Sequence, residues 1–448
     1  RIGGVIFTGS TEVAQLINQT LAKRDDSPVL IAETGGQNAM IVDSTALAEQ
    51  VCADVLNSAF DSAGQRCSAL RILCVQEDVA DHMVKMIKGA MDELVVGNPI
   101  ALDTDIGPVI DTEAQQNLLA HINRMKGIAK SYHEIRPSEN VNPDNATFVA
   151  PIMFELNGLG ELQREVFGPV LHVVRYPADG LDKLIDQING KGYALTHGVH
   201  SRIDGTVEHI RSRIESGNVY VNRNIVGAVV GVQPFGGHGL SGTGPKAGGS
   251  FYLQRLSRLK EWTAPTLSKI GQVDEDALKR LETLLHGLPL PQSEKMAAAA
   301  SLGQSRVRTL RKAESVLAGP TGERNVLSWH APARVWLYGG SLAASFTALV
   351  SLASAGVQAV VLPDHPLAAY ADRLDGLLAV TDKPEAAGIS HVAALEPLPS
   401  ARKQVLANRD GALVRILPSE NGLDILQVFE EISCSINTTA AGGNASLM

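Results

Sequence analysis

Gly4-Val5-Ile6-Phe7-Thr8-Gly9-Ser10-Thr11-Glu12-Val13-Ala14 combines a short β-branched and aromatic run, a Gly-Ser turn and the opening of a helix that continues to about Arg24. A strand-turn-helix unit of this kind is the repeating element of an α/β fold. The helix N-terminus leaves backbone N–H groups pointing outward, a ready anion site, and Gly9 permits close approach of a phosphate. The full Gly-x-Gly-x-x-Gly pattern is missing, so an ordinary β-α junction fits the same residues. Ser27-Pro28 ends the helix, because Pro28 lacks an N–H and pushes Ser27 towards an extended conformation. The strand Val29-Leu30-Ile31-Ala32 then runs into Glu33-Thr34-Gly35-Gly36, which sets a carboxylate at a strand end beside two glycines. Strand ends are where α/β folds collect their chemistry.

Outward from this unit, a helix is expected from about Leu47 to Asp61, with Val51, Val55 and Ala59 at helical spacing. It delivers the chain to Ser62-Ala63-Gly64-Gln65-Arg66-Cys67-Ser68, and Leu70-Arg71-Ile72-Leu73-Cys74-Val75 leaves as a strand. Cysteine is a nucleophile only as thiolate, so its neighbours decide its use, and Arg66 supplies positive charge. A lone cysteine is also commonly a small core residue, which is the simplest reading of Cys74.

With 448 residues the chain is long enough for two or three domains, each with its own core. Its 44% hydrophobic and 19% charged residues are those of an ordinary globular protein, and a net charge of -9 argues against a nucleic-acid or membrane-surface role. Cys52, Cys67, Cys74 and Cys434 fit neither a disulfide framework nor a zinc site, and point to a reducing cytosol. The apolar run from Ser341 to Gly356 is too short and too rich in Ala and Ser to span a bilayer. Arg1-Ile2-Gly3-Gly4 reads as the approach to an interior strand, so the chain is expected to begin within a domain.

Four stretches, Phe7-Thr8-Gly9-Ser10, Glu33-Thr34-Gly35-Gly36, Gly64-Gln65-Arg66-Cys67 and Glu165-Val166-Phe167-Gly168-Pro169, stand in the order and spacing of the aldehyde dehydrogenase superfamily. Asn222 to Gly237 and Gly239-Leu240-Ser241-Gly242-Thr243-Gly244-Pro245-Lys246-Ala247-Gly248-Gly249 further resemble the L-glutamate-γ-semialdehyde (pyrroline-5-carboxylate) dehydrogenase region of the bifunctional proline utilisation A family. The resemblance implies NAD-dependent oxidation of glutamate semialdehyde to glutamate. Cys67 would form a thiohemiacetal and then a thioester, and Glu33 would activate the hydrolytic water. Gly9 and Ser10 would form the pyrophosphate turn, Thr34 and Gly35 would lie by the nicotinamide, Glu165 would bind ribose hydroxyls and Phe167 would pack near the nicotinamide ring. On the substrate side, Gly227 and Ala228 match the loop that anchors the amino-acid end. Ser68 matches the hydroxyl beside the nucleophile, Phe235 an aromatic wall, and Arg66 adds charge. A different aldehyde, or a non-catalytic scaffold of the same fold, shares many of these residues.

The resemblance also implies a fold: an α/β, aldehyde dehydrogenase-like chain with a partial Rossmann cofactor domain and a catalytic domain, followed by a second Rossmann-like α/β domain. The expected divisions are 1–35, the end of the NAD-binding domain; 36–263, the catalytic domain; 264–318, a helical linker; and 319–448, a non-catalytic aldehyde dehydrogenase-like domain. Upstream parts, including a proline dehydrogenase domain with its FAD and the Asn that completes the oxyanion site, would lie outside the chain, which alone is expected to be weakly active. A homo-oligomer in the cytoplasm is expected, with peripheral membrane association in intact family members, and no nucleic-acid partner or metal.

Between and beyond these motifs, helices are expected at Val79–Leu94, Asp111–Lys130, Gly180–Ile188 and Val207–Ser216, and strands at Val170–Tyr176 and Asn218–Val221. Pro137 to Asn145 reads as a polar loop, and His121 and His133 lack metal-ligand spacing. Asp274–Leu285 and Ser293–Leu317 read as helices, with Arg306, Arg308, Arg311 and Lys312 on a solvated face. Val335–Tyr338, Ser341–Ala355 and Val357–Leu362 form a β-α-β pattern whose Gly339-Gly340 turn lacks the phosphate fingerprint, although Asp364 follows the second strand. Cys434 reads as structural, and Asn437 to Asn444 as a glycine-rich ending.

Overall fold

The computed structural model of the chain describes residues 2–137, 146–257 and 262–439, with the side chains of residues 306–308 outside the description. The expected loop from Pro137, the side chains of Arg306 and Arg308, and the glycine-rich ending from residue 440 fall outside these limits. The chain divides into two compact units, each assembled from separated stretches. The first comprises residues 1–34, 234–317 and 326–433; the second comprises residues 35–233, 318–325 and 434–448.

In the first unit the opening stretch folds as read. Gly4–Thr8 is a strand, Ser10 caps the helix Thr11–Ala22 by accepting from the Val13 N–H, and Val29–Glu33 returns parallel with Thr8 opposite Glu33. The C-terminal stretches of this unit build a parallel sheet in the order Leu378–Val380, Gln358–Val361, Arg334–Tyr338, His391–Ala394, Arg415–Pro418. That order, with the first strand central and the chain winding outward both ways, is the doubly wound pattern. Leu342–Ser354 is its crossover helix, capped by Ser341.

The helices of the stretch read as a linker or packing arm pack into this unit's core. Glu275–Gly287 buries Leu278, Leu281, Leu284 and Leu285, and Gln292–Arg308 buries Ala298 and Leu302, in one cluster with Val335, Leu337, Phe346 and Leu349. An amphipathic helix needs a surface for its apolar stripe, and the crossover helix provides it. The second of these helices also stops earlier than expected, at Arg308, and Glu314–Leu317 is a strand. Lys312 takes a positive φ there, which breaks helical propagation.

The second unit is built on seven strands in the order Asn218–Val221, Thr196–His200, Ala39–Val42, Ile72–Gln76, Val170–Tyr176, Ile152–Glu155, Ser131–Glu134. All neighbours run parallel except the last pair. Helices Ala48–Phe60, Glu77–Asp92 and Thr112–Lys126 bury Val51, Val55, Met83, Ile87, Leu118 and Ile122 in the core. Cys74 and Cys434 are buried there, as expected of structural thiols. Ala39–Val42, Thr196–His200 and Ile152–Glu155 carry no strong sequence signal. All three are short and almost wholly buried; Ala39–Val42 and Ile152–Glu155 are near-continuous apolar runs with no alternation to mark a strand, and Thr196-His197-Gly198-Val199-His200 mixes polar residues and a glycine. Among the described residues no helix is long and apolar enough to cross a membrane.

Candidate active site

The Cys67 loop begins where the helix Ala48–Phe60 ends. Ser62, Ala63 and Gly64 all take left-handed φ values of 56, 53 and 63°. Two non-glycine residues in that region are strained, and such strain persists only where the surroundings hold it. Gly64 is irreplaceable on geometry alone, since a Cβ there would lie 2.2 Å from the Gly168 carbonyl oxygen. Beyond the turn, Asn38 braces both sides of Ser68. Its Nδ2 donates to the Cys67 carbonyl at 2.6 Å and to the Ala69 carbonyl at 2.8 Å, while its Oδ1 accepts from the Thr196 N–H at 3.1 Å. Thr196 Oγ1 donates in turn to the Ser68 carbonyl at 3.1 Å. Ser68 is buried and Cys67 is half-buried, so the thiol alone of the four is not sealed in the interior.

The cation that organises this loop is Arg71, not Arg66. Arg66 Nε donates to Ser62 Oγ at 3.0 Å on the outer side of the turn. Arg71 is 1% exposed, and its Nη1 donates to the Gly64 carbonyl at 2.6 Å and the Gly168 carbonyl at 3.2 Å. Its Nη2 donates to the Arg66 carbonyl at 3.0 Å and pairs with Glu165 Oε1 at 3.4 Å. The guanidinium also lies 5.2 Å from the Phe167 ring centroid. Burial pushes the Arg71 pKa down, while Glu165 and Cys67 hold it up, which keeps a positive charge beside the thiol. A charged residue inside the apolar run Leu70 to Val75 was the available sequence signal.

Glu165 itself rests against Gly35. A Cβ on Gly35 would lie 1.9 Å from Glu165 Oε2, so only glycine lets the carboxylate sit there. Gly35, Arg66, Cys67, Ser68, Glu165, Phe167, Gly227 and Ala228 all belong to the second unit. Gly227 has φ 74°, and its loop is tied by Gln233. Gln233 Oε1 accepts from the Val229 N–H at 3.0 Å, and its Nε2 donates to Glu323 Oε2, Asn325 Oδ1 and Ser435 Oγ, each at 3.1 Å.

Further inside the second unit, His172 Nδ1 lies 3.0 Å from the Arg71 carbonyl and Nε2 lies 3.0 Å from His121 Nε2. A carbonyl only accepts, so His172 carries its proton on Nδ1 and His121 donates from Nε2. Burial pushes both rings down, His121 to about 4 and His172 to about 3, so the pair is neutral at physiological pH. Among the described residues no group of three or more His, Cys, Asp and Glu is placed to hold a metal ion.

Glu33, Thr34, Gly9, Ser10 and Phe235 belong to the first unit. The end of the strand Val29–Glu33 is clamped by the segment 240–243. The Thr34 N–H donates to the Ser241 carbonyl at 3.0 Å, Thr34 Oγ1 donates to the Leu240 carbonyl at 2.6 Å, and the Ala32 N–H donates to Thr243 Oγ1 at 3.0 Å. Glu33 Oε2 accepts from the Gly237 N–H at 3.1 Å, whereas Oε1 is enclosed and makes no protein hydrogen bond. Burial raises the Glu33 pKa, against the pull of the Gly237 N–H and the Lys246 ammonium. Lys246, which sequence reasoning passed over, is 3% exposed and donates from Nζ to the Gly236 carbonyl. Burial lowers its pKa, and Glu33, Glu431 and Glu430 oppose that shift, in that order. Phe235 pairs with Ala247 through two backbone hydrogen bonds of 3.0 and 2.9 Å, which fixes the segment carrying Gly236 and Gly237. Ser10, expected at a pyrophosphate turn, is the helix cap, with its Oγ 3.3 Å from the Val13 N–H.

At the C-terminal end of Arg334–Tyr338, Gly339 and Gly340 have φ values of 68 and 91°. Where a phosphate would sit in a nucleotide-binding turn, the Gly340 N–H donates to Glu396 Oε1 at 3.1 Å.

A family model described as the aldehyde dehydrogenase family matches residues 1–262. The chain is 46% identical over 474 aligned residues to the Escherichia coli bifunctional protein PutA, covering 100% of this chain and 36% of that protein. It thus spans about a third of the length of this curated relative. It is 34% identical over 255 residues to a Geobacillus 1-pyrroline-5-carboxylate dehydrogenase, covering 56% of this chain and 48% of that one. A solved structure of a Bradyrhizobium japonicum proline utilization A variant matches with 59% identity and a TM-score of 0.55, over 57% of this chain and 26% of that chain.

Proposed function

The chain belongs to the aldehyde dehydrogenase family, and on that premise we propose that the protein oxidises L-glutamate γ-semialdehyde, formed from pyrroline-5-carboxylate, to L-glutamate with NAD. The observation that carries this reading is the Cys67 loop: a half-buried thiol on a strained turn with the buried Arg71 guanidinium behind it. A neighbouring cation favours the thiolate, the form that attacks an aldehyde carbon. The substrate class follows from the 1-pyrroline-5-carboxylate dehydrogenase relative and from the Gly227-Ala228 loop, whose positive-φ glycine suits backbone N–H groups to a carboxylate.

Cys67 adds to the aldehyde to give a thiohemiacetal. Bound NAD would supply the hydride acceptor for the substrate carbon, and Cys67 would then hold the acyl group as a thioester. Glu33 then serves as general base in hydrolysis. A carboxyl raised by burial, with Oε1 free of protein hydrogen bonds, is suited to take a proton from water near neutral pH. Lys246 beside it opposes the upward shift and keeps the carboxylate accessible. The residues fit the cofactor in chemistry: Gly9 and Ser10 open a helix whose first turn suits a pyrophosphate, and Glu165 offers a carboxylate to ribose hydroxyls from a seat only Gly35 permits. Thr34, Gly35 and Phe167 would lie by the nicotinamide. Ser68, Arg66 and Phe235 remain the other substrate-side residues of this proposal.

We read the domain from about residue 319 onward as non-catalytic, because Glu396 takes the N–H that a nucleotide phosphate would use. In this proposal the protein is a cytoplasmic homo-oligomer, and the chain works beside a proline dehydrogenase domain that carries FAD. Four free cysteines suit a reducing compartment. The test is NADH formation with pyrroline-5-carboxylate by the polypeptide that carries this chain. Cys67→Ala abolishes it, and Glu33→Gln retains a single burst of NADH while turnover falls about a hundredfold or more, as expected for removal of a general base. Turnover retained in Cys67→Ala overturns the proposal.

A further inference from the structure

The first unit contains a cleft of about 250 Å³, walled by the helix Thr11–Ala22 and Ser27 to Leu30 on one side and by the helix Ser400–Ala407 and Leu413 to Pro418 on the other. Its walls are pinned together. Lys403 Nζ donates to the Arg24 carbonyl at 2.6 Å and to Ser27 Oγ at 2.9 Å, and Gln15 Nε2 donates to the Ala407 and Arg409 carbonyls. Among the described residues that line the cleft, three are cationic, Arg255, Lys403 and Arg415, and none carries a carboxylate.

Lys403 is accounted for by its backbone and hydroxyl partners. The two guanidiniums are not. Arg415 is 6% exposed, and its Nη2 donates to the Gln427 carbonyl at 3.0 Å, but its Nε is enclosed without a partner. Arg255 is half-buried, its Nε is likewise enclosed and unpaired, and among the described residues no carboxylate lies within ion-pair distance of it. Glu430 and Glu431 act on Arg415 only from longer range, and Glu431 is engaged by the Lys246 and Ser250 N–H groups at 3.1 and 2.8 Å. Burial lowers the pKa of both arginines, and each of Arg255 and the fully buried His391 feels the charge of Arg415 as a further lowering influence. His391, opposite Arg415 in the sheet register, also leaves Nε2 without a partner.

Two guanidiniums lining one cleft, each with an enclosed Nε and with no carboxylate at ion-pair distance among the described residues, are costly to the chain that carries them. Their planar donor forks match a carboxylate or phosphate group in two-point contact. The remaining wall is aliphatic and aromatic, with Leu21, Leu406, Val414 and Trp262. We propose that this cleft is a binding site for a small organic anion, its head group held by Arg255 and Arg415 and its aliphatic body lying against Leu21, Leu406, Val414 and Trp262. Neither Glu33 nor Cys67 lines the cleft, and its occupancy is readable without any turnover.

Trp262, Trp329 and Trp336, the three tryptophans of the chain, all lie in the first unit, so their fluorescence reports that unit's thermal unfolding. The full chain is titrated with acetate, hexanoate, inorganic phosphate and hexyl phosphate in chloride-free buffer. Hexanoate or hexyl phosphate raises the unfolding midpoint saturably and binds at least tenfold more tightly than its short counterpart, since each buried methylene contributes about fourfold. Whichever of the two binds more tightly identifies the head group. Arg255→Met raises the midpoint of the free chain and removes the response to both hexyl probes. Leu406→Trp, which fills the cleft and keeps both arginines, removes the response as well. No saturable response to either hexyl probe, or a response undiminished in both variants, overturns the proposal. So does a free-chain midpoint that falls in Arg255→Met and recovers in Arg255→Lys, because that outcome identifies a structural cation.

Discussion

Replacing Arg71 by methionine tests whether the buried guanidinium, rather than the half-buried Arg66, supports the Cys67 loop. The Arg71–Glu165 pair is 3.4 Å apart, with side chains 2% and 16% exposed. At an effective dielectric of about 20, that separation corresponds to an attraction of about 5 kcal/mol before desolvation. Removing one partner of such a pair typically costs about 3–5 kcal/mol, because the other charge is left buried alone. Arg71→Met also strips donors from the Gly64, Gly168 and Arg66 carbonyls, at roughly 1 kcal/mol apiece, less whatever packing the new side chain recovers. The expected loss in the second unit is about 5 kcal/mol. Hydrogen exchange of the strands Ile72–Gln76 and Val170–Tyr176 measures it, since central amides of a unit report its full opening. Glu165→Gln in the Arg71→Met background should return about 2 kcal/mol, whereas in the native background it destabilises. Iodoacetamide labelling of Cys67 near neutral pH should slow in Arg71→Met as the thiolate loses its cation. Additive effects of the two substitutions within about 0.5 kcal/mol, together with unchanged labelling, refute the role assigned to Arg71.

Glu33→Gln should change the pH dependence of the first unit's unfolding midpoint. Burial raises the Glu33 pKa in the folded chain, so the native state keeps a proton that the unfolded chain loses above about 4.3. The wild type therefore loses stability relative to Glu33→Gln as pH rises through that window, and a Glu33→Gln midpoint that fails to gain on the wild type between pH 5 and pH 8 contradicts the assignment. Gly35→Ala drives a Cβ to within 1.9 Å of Glu165 Oε2 and should cost about 1–3 kcal/mol, largely relieved by Glu165→Ala; hydrogen exchange of the second unit decides. His172 should stay neutral with its proton on Nδ1 throughout pH 5 to 8, because burial holds it at about 3. An imidazole NMR titration with a midpoint near 6.5 would disprove this. The neighbouring His121, at about 4, should be equally silent over that range.

Much of the local structure was legible because turn chemistry and patterning are local properties. The Gly9-Ser10 turn and the strand Val170–Tyr176 emerge where the residues place them, whereas the helix ends at Ala22, before Ser27-Pro28, and Ser27 takes a φ of 39° instead of the extended conformation read from Pro28. The family was legible for a different reason: four short motifs in a fixed order carry a resemblance that the family match sustains, and the chemistry proposed for Cys67 and Glu33 rests on it. Short buried strands such as Ala39–Val42 were not, since a fully buried run loses the alternation that marks a strand. The helices from Glu275 to Arg308 read only as a linker or packing arm because an amphipathic stripe does not name the surface that covers it.

What the sequence by itself determined, then, is which residues could react: one thiol in a polar loop, one carboxylate at a strand end, and the glycines that free the backbone beside them. Tertiary structure decided their electrostatic state. Arg71 lies four residues from Cys67 yet acts through bonds to Gly64, Gly168 and Glu165, and Lys246 meets the field of Glu33 from more than two hundred positions away. The unpaired guanidiniums of Arg255 and Arg415 likewise become neighbours only after folding. Charge and burial are properties of three-dimensional surroundings, and a linear sequence lists the groups without the distances that set how strongly they act on one another.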